Sequence, residues 1–487
     1  MKRTTVRLAA VPVAALLALT ACSEGGGSST GREAAAPNYS EQGGGDRNPL
    51  DDPQSTFAVD VDTASYGYAR RVIREGNLPD PTMVRPEEFV NAFDQDYPEP
   101  RGDGFAVYAD GVRPPAAHRA DGDGDVRIMR VGLQTRSETE FRRPDASLTF
   151  VVDVSGSMAE PGRLDLVRDA LHTLVDQLRP TDSVAIVAFS DKARALREMT
   201  RVSEKEDLRA AIDRLRPEGS TNLAAGLTLG YRVARDGFRE GTSNRVIVLS
   251  DGLANTGSTD SDEILRRVRD EAAKQIALLG VGVGSDHGDA LMESLADGGD
   301  GFAVYVSEPE QARDVFVNRL PATLEVRALD AKVQVTFDSR TVRDYRLIGY
   351  ENRAVADEDF RDDRVDGGEV GPGHSVTALY EVRLAGAEDL GAEVATVRVR
   401  WLDPADRTPA EASHPVTVAD LDHGFEEAEP RLTVDYVAAY LAEALRGGEP
   451  GIPLADLRRI ADRAADRAAD PAVSELADLV TRAEGLR

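Results

Sequence analysis

Residues 148–157 have the sequence LTFVVDVSGS, an apolar run followed by a carboxylate and two hydroxyls at alternate positions. Directly behind it, apolar residues recur at helical spacing from Leu164 to Leu178. A short buried strand that leads through a polar loop into an amphipathic helix is the unit from which parallel sheets are built. The stretch therefore predicts an α/β fold whose first strand carries polar groups at its carboxyl end.

The alternation of strands and helices continues through residue 320. Four further short apolar runs follow along the chain: 183–189, 246–250, 276–283 and 302–306. Stretches with helical periodicity separate them, and residues 193–199 predict an antiparallel edge strand close behind the second run. We expect a Rossmann-like, doubly wound and mostly parallel sheet over residues 146–322.

The regions on both sides of this unit have different patterns. Residues 104–136 and 326–420 contain segments with two-residue alternation, so we expect a β-sandwich into which the α/β unit is inserted. The last part of the chain is rich in Ala, Leu and Arg, and Pro453 and Pro471 divide it into three short helices. The expected order is a signal peptide (1–21), a Gly/Ser-rich tether (22–55), an N-terminal extension (56–145), the α/β domain (146–322), a β-rich extension (323–425) and a helical region (426–487).

The start of the chain predicts a membrane anchor. Lys2, Arg3 and Arg7 precede an apolar stretch at 8–19, which is too short to span a bilayer. Small residues then lead to Cys22, the single cysteine, so no intramolecular disulfide can form. This arrangement resembles a bacterial lipobox, which implies cleavage before Cys22, its lipidation and an extracytoplasmic location on the cell membrane. The alternative is a plain secretory signal with an incidental cysteine.

The composition excludes several classes of function. Across 487 residues, 58 Lys and Arg stand against 86 Asp and Glu, a formal net charge of −28, which argues against nucleic acid as a partner. The hydrophobic fraction of 41% is ordinary for a globular chain. The sequence has no P-loop, dinucleotide-binding fingerprint or Gly-x-Ser-x-Gly elbow, and its six histidines lack paired zinc spacing. We therefore expect a protein that is not an enzyme.

Two more polar loops complete a candidate site. Gly219-Ser220-Thr221 opens a helix, and Ser250-Asp251 closes a strand. In a doubly wound sheet both loops lie with 153–157 at the carboxyl ends of strands, where ligands bind. Together the loops offer two carboxylates and three hydroxyls as potential metal ligands. This all-oxygen set predicts Mg²⁺ as cofactor, with Mn²⁺ or Ca²⁺ as alternatives, and leaves room for a water or a partner's carboxylate.

In this order and context the three loops resemble the metal-ion-dependent adhesion site of the von Willebrand factor A domain. The resemblance covers 146–322. It implies that the metal is bound, without a departure among the five positions, by Asp153, Ser155, Ser157, Thr221 and Asp251. It also implies a protein partner that presents an acidic residue to the ion. If Thr221 replaces Asp251 as a direct ligand, the ion stays electrophilic and gains affinity for an incoming Glu or Asp.

The flanks carry a second resemblance. FAVDVDTASY at 57–66 and YRLIGYENR at 345–353 look like the extensions of the YfbK-type group of bacterial surface lipoproteins, which contain a von Willebrand factor A domain. The resemblance brings no known ligand with it. Within the first segment, Asp60 and Asp62 follow an apolar strand at the same spacing as Asp153 and Ser155 of the candidate metal loop, which is residues 153–157. They are a weaker candidate for a second cation site, with a solvated strand end as the alternative.

The function predicted from the sequence is that of a cell-surface lipoprotein that binds a protein partner through a divalent metal ion. One alternative is a scaffold of an envelope assembly, in which the metal only stabilises loops. Another is a metal-dependent hydrolase, since a metal with an open position can activate water. The sequence offers no general base or second metal for that chemistry.

Overall fold

The computed structural model describes residues 45–487 apart from the following positions: 60, 103, 119–124, 138–143, 252–260, 273, 285–291, 293–294, 297–298, 300–302, 307–314, 317–326, 364, 366, 387–388, 405 and 448–450. The predicted signal peptide, Cys22 and Asp60 therefore lie outside the described residues. No helix of the described chain is both long and apolar enough to cross a lipid bilayer.

The described strands follow one another along the whole chain. They are β1 (Gln54–Ala58), β2 (Phe105–Val112), β3 (Asp125–Thr135), β4 (Ala146–Asp153), β5 (Ser183–Phe189), β6 (Ala193–Arg201), β7 (Ser243–Ser250), β8 (Ala277–Val283), β9 (Ala303–Val306), β10 (Ala328–Phe337), β11 (Val342–Ile348), β12 (Gly368–Val370), β13 (Ser375–Leu384), β14 (Glu393–Leu402) and β15 (Pro409–Thr417).

The described α-helices lie between the strands and at the end of the chain. They are α1 (Ala64–Arg74), α2 (Pro86–Val90), α3 (Leu164–Gln177), α4 (Lys205–Ile212), α5 (Leu223–Asp236), α6 (Ser261–Ala272), α7 (Val418–Leu421), α8 (Pro430–Leu445), α9 (Leu454–Ala468) and α10 (Pro471–Leu486).

The middle of the chain forms a six-stranded sheet in the order β6-β5-β4-β7-β8-β9. Its pairs are parallel except β5–β6, where β6 is an antiparallel edge strand. Apolar residues of α3 and α4 pack on one face, and those of α5 and α6 pack on the other. Because both faces are covered, every residue of β4 and β5 is buried. This sheet confirms the α/β fold class predicted from residues 148–157.

Strands from before and after the α/β domain form a sandwich of two antiparallel sheets. One sheet has the order β11-β13-β3-β2; the other has the order β1-β10-β14-β15, with β12 paired to β10. The two sheets enclose one apolar core, to which Met129, Val333 and Tyr380 belong. The long β3–β13 pairing runs from Gln134 opposite Ser375 to Asp125 opposite Leu384. It joins a strand that precedes the inserted domain to a strand that follows it. The two extensions drawn at 56–145 and 323–425 are therefore parts of one folded unit.

Helices cover the outer face of the sheet β11-β13-β3-β2, which we call the helix-covered sheet. The last three helices share a core with α1 and α2 and with outward-facing residues of the sheet such as Ile128 and Leu379. Helix α8 lies at the centre of this layer, since 13 of its 16 residues are buried. The helical region predicted at 426–487 therefore packs together with helices from the N-terminal extension.

The predicted tether at 22–55 extends too far. Arg47 and Tyr345 exchange two backbone hydrogen bonds, of 2.8 and 2.9 Å, and the Tyr345 hydroxyl donates to the carbonyls of Asp52 and Gln54. Strand β1 then begins at Gln54 rather than Phe57. These contacts use partners almost 300 residues away along the chain, which the local Gly/Ser-rich composition does not reveal.

Candidate metal site

The candidate site lies at the carboxyl edge of the six-stranded sheet. Strands β5, β4 and β7 are parallel neighbours, so the residues that follow them meet at this edge. Asp153 ends β4, and Asp251 comes directly after β7. The sequence predicted this meeting of loops from the order of the strands, and the structure has it.

Asp153 is fully buried among neutral hydrogen-bond donors. Its Oδ1 accepts from the Ser155 amide at 2.8 Å, and its Oδ2 accepts from the Ser250 hydroxyl at 2.6 Å. Burial raises the pKa of this carboxyl to about 6 against the opposing effect of these hydrogen bonds, and the charge of Asp251 raises it further. The sequence pattern did not reveal the contribution of Ser250, although its place before Asp251 at a strand end was a usable signal.

The two loop serines connect the site to the second carboxylate. Ser155 Oγ lies 3.1 Å from Ser157 Oγ, and Ser157 Oγ donates to Asp251 Oδ1 at 2.9 Å. When a small cation has six ligands at about 2.1 Å, neighbouring ligand oxygens lie about 3.0 Å apart. The two spacings are ordinary hydrogen-bond lengths that are also compatible with adjacent ligand positions around an octahedral ion such as Mg²⁺.

The loop that carries Thr221 is fixed against the first loop. The carbonyl of Gly219, at φ +67°, accepts from the Gly156 amide at 3.0 Å, and the Asn222 amide donates to the Ser190 carbonyl at 2.9 Å. The Asn222 side chain also caps α5 by accepting from the third amide beyond it. These bonds bring the buried Thr221 to the same sheet edge as the other four predicted ligands.

Asp191 is a further acid at this edge that the sequence analysis did not identify. It accepts hydrogen bonds from the amide and the hydroxyl of Ser220, and these bonds lower its pKa. A side chain at Gly219 would come within 2.7 Å of the Asp191 carboxylate. Asp191 therefore helps to hold the Thr221 loop in place.

Arg163 is the third residue whose role the sequence pattern did not indicate. Its Nη1 donates to Asp251 Oδ2 at 2.6 Å and to the Ser157 carbonyl at 3.2 Å. Both side chains of this ion pair are buried, with 6% of Arg163 and 3% of Asp251 exposed. Nothing in the local pattern distinguished this arginine from many others, because its role depends on a residue 88 positions away.

The donor set fits a hard divalent cation. The carboxylates of Asp153 and Asp251 converge with the hydroxyls of Ser155 and Ser157, and the hydrogen bonds to the buried Asp153 come from neutral donors. The described residues contain no group of three or more His, Cys, Asp or Glu side chains placed to hold a metal. Such groups are typical of zinc sites, whereas a site built on hydroxyl oxygens suits Mg²⁺ or Mn²⁺.

Of the weaker candidate pair, Asp60 and Asp62, the structure describes only Asp62. Asp62 is buried, and Nη2 of Arg353 lies 3.5 Å from its carboxylate. A guanidinium of the chain itself thus opposes the charge of Asp62. With Asp60 outside the described residues, a second cation site stays a prediction.

Three protein families match consecutive parts of the chain. The von Willebrand factor type A domain matches residues 147–318. A family described as von Willebrand factor matches residues 38–120, and one described as uncharacterized protein YfbK, C-terminal, matches residues 322–486. The matches thus extend over the α/β domain and over both of its flanks.

Individual relatives match different shares of the chain. The chain is 32% identical over 438 residues to the uncharacterized protein YfbK of Escherichia coli (strain K12), which covers 83% of this chain and 74% of that protein. It is 30% identical over 192 residues to the uncharacterized protein sll0103 of Synechocystis, covering 39% of this chain and 44% of that protein. Among solved structures, a von Willebrand factor type A protein from Catenulispora acidiphila aligns with a TM-score of 0.47 and 16% identity, over 78% of this chain and 93% of its own.

Proposed function

Because the chain belongs to the YfbK family of von Willebrand factor A domain proteins, we propose that it is a cell-surface lipoprotein that binds a protein partner through a divalent cation. The observation that carries the proposal is the convergence of oxygens at the sheet edge. Ser155, Ser157 and Asp251 are linked at spacings near 3 Å, beside a buried Asp153 whose described partners are neutral donors.

Each residue has a distinct part in this proposal. Asp153, Ser155, Ser157 and Thr221 would hold the ion, and Asp251 would complete the set either directly or through the Ser157 hydroxyl. The ion supplies an electrophilic centre. Hydroxyl ligands are neutral and so leave it with positive charge, which supports a partner that presents a Glu or Asp side chain.

The partner is tested by a pull-down from native membranes in Mg²⁺ and in EDTA. We expect a protein that is retained in Mg²⁺, is released by EDTA and is not retained by Asp153→Ala. Asp169→Ala is the matched control, since Asp169 is an exposed carboxylate on α3 of the same domain. A complex that survives both EDTA and Asp153→Ala would contradict the proposal and favour the scaffold alternative.

The lipid anchor is a separate part of the proposal and rests on the lipobox-like sequence before Cys22. Cys22→Ala should move the protein from the membrane fraction to the soluble fraction, because acyl chains on that residue are the proposed attachment. If the variant still sediments with membranes after a high-salt wash, the protein is attached in another way. Metal binding by the purified protein is independent of this result.

A further inference from the structure

We propose that Arg163 is a positioning residue of the metal site that fixes Asp251 and makes the metal-loaded site selective for an anionic ligand. This inference rests on the proposed function, because it concerns the same cation. It is carried by a buried ion pair and by the backbone that makes room for it.

The guanidinium of Arg163 contacts Asp251, Ser157 and Glu160. Its Nη1 reaches Asp251 Oδ2 at 2.6 Å and the carbonyl of Ser157 at 3.2 Å. Its Nη2 lies 2.7 Å from Glu160, whose side chain is 64% exposed. Arg163 itself immediately precedes α3, so the first helix of the domain fixes where the guanidinium lies.

A glycine at the end of β8 leaves space for this side chain. Gly284 has φ +96°, a conformation that other residues rarely adopt. A Cβ at this position would lie 3.0 Å from Nε of Arg163 and 3.2 Å from its Cγ. The segments that follow β4, β7 and β8 therefore all lie against the buried Arg163 side chain.

The first consequence concerns the orientation of Asp251. Because Arg163 binds Oδ2, the other oxygen faces Ser157 and accepts its hydroxyl at 2.9 Å. A carboxylate held at one oxygen by a buried arginine loses most of its rotational freedom. Asp251 thus presents one oxygen to the metal loop instead of chelating through both.

The second consequence concerns charge. Asp153 and Asp251 alone would neutralise a divalent ion. Arg163 offsets one of these charges, so the protein groups carry one net negative charge and the loaded site carries one net positive charge. Glu160 changes this little, since solvent screens an exposed carboxylate. A loaded site with net positive charge binds a carboxylate ligand in preference to a neutral one.

Two affinities of the detergent-solubilised full-length protein test the proposal. Calorimetry measures Mn²⁺ binding, and the water-proton relaxation rate of the Mn²⁺-loaded protein measures acetate binding, since acetate displaces water from the ion. For Arg163→Gln we expect Mn²⁺ affinity to rise on the order of tenfold and acetate affinity to fall by a similar factor. Arg163→Lys keeps the charge and should keep both affinities near wild type, as should Arg168→Gln on the same helix.

The opposite direction of the two changes separates this role from a purely structural one. A variant whose site is damaged loses affinity for Mn²⁺ and for acetate together. Either that result or unchanged affinity for both would overturn the proposal. If Arg163→Gln fails to fold, Asp251→Asn gives the mirror test: it should bind Mn²⁺ more weakly and acetate more tightly. A wild-type protein that binds no Mn²⁺ would overturn the proposed function itself, whereas normal binding that Arg163→Gln leaves unaltered would overturn this inference alone.

Discussion

Two buried aspartates in this chain have the same exposure and different partners. Asp153 of the metal loop and Asp435 of α8 are both fully buried, and burial raises the pKa of each to about 6. Asp435 accepts from Arg130 of the helix-covered sheet at 3.2 Å and from Gln95 at 2.7 Å. Asp153 accepts from hydroxyl and amide donors, and the charge of Asp251 raises its pKa further.

The difference separates a structural charge from a binding site. A buried ion without an opposite charge is unfavourable by several kcal/mol, so an ion pair or a metal normally accompanies it. The cation for Asp435 belongs to the chain and joins the helical layer to the sandwich. The cation proposed for Asp153 is a metal ion from solution. Arg163, at the same sheet edge, forms an ion pair with Asp251.

The largest effect is expected at the structural pair. Asp435→Asn removes the charge that faces Arg130 and leaves that guanidinium buried with Asp110, its partner at 2.7 and 2.9 Å. Breaking a buried ion pair on one side should lower the free energy of unfolding by about 3 kcal/mol. Urea unfolding in EDTA and in Mg²⁺ should show the same loss, because this pair does not use the metal.

The same chemical change at Asp153 should have the opposite sign in EDTA. Asp153→Asn removes a charge that burial disfavours and that Asp251 repels, while its side-chain oxygen can still accept from the Ser155 amide. We expect the metal-free unfolding free energy to stay constant or rise. In Mg²⁺ at about 100 times its Kd, wild type should gain about 2.7 kcal/mol and the variant nothing.

These two substitutions form a direct test of the comparison. If Asp153→Asn destabilises the protein in EDTA as much as Asp435→Asn does, then Asp153 is a structural carboxylate and the proposed site is wrong. Asp169→Asn, at an exposed position of α3, reports any effect of removing a negative charge in general. It should change neither stability nor the response to Mg²⁺.

A smaller effect is expected at the donor that the sequence analysis missed. Ser250→Ala removes the 2.6 Å hydrogen bond to Asp153. Loss of one buried hydrogen bond to a carboxylate should lower the metal-free free energy of unfolding by about 1 kcal/mol. Mg²⁺ binding should weaken by about tenfold, because this bond orients a metal ligand. Calorimetry and urea unfolding check the two effects separately. Unchanged Mg²⁺ affinity would mean that this bond does not orient the metal ligand.

The comparison also explains how much the sequence could predict. The α/β domain is one continuous stretch, and the carboxyl ends of neighbouring parallel strands must meet, so the meeting of the three polar loops follows from local pattern and strand order. The resemblance to the von Willebrand factor A domain then selects the five candidate ligands from these loops. The hydrogen-bond and ion-pair partners of those ligands cannot be predicted in this way. Arg163 and Ser250 act on residues 88 and 97 positions away, and the sequence pattern at each is ordinary.

The sandwich and the helical layer were harder to predict, because their contacts join residues that are still farther apart in the sequence. Arg130 and Asp435 are 305 positions apart, and Arg47 pairs with Tyr345 across the whole inserted domain. Two-residue alternation predicts strands and helical spacing predicts helices. Neither pattern specifies which strand pairs with which, or that helices from both ends of the chain share one core.

The smallest effect on metal binding, and the finest test of the site, is expected at Thr221. Its loop is held by the bonds of Gly219 and Asn222 to neighbouring backbone, so Thr221→Ala should leave the loop in place. A neutral hydroxyl adds no charge, and Mg²⁺ affinity should therefore stay within about threefold of wild type. Partner retention should fall much more if Thr221 binds the ion mainly in the partner-bound state, because a ligand shifts an equilibrium only through differential affinity for its two states. Calorimetry with Mg²⁺ and Mn²⁺ and the membrane pull-down measure the two effects, with Thr221→Ser, which keeps the hydroxyl, as the control. A Thr221→Ala protein that loses metal as completely as Asp153→Asn would keep Thr221 in the site but remove the two-state mechanism, since the hydroxyl would then bind the ion whether or not a partner is present.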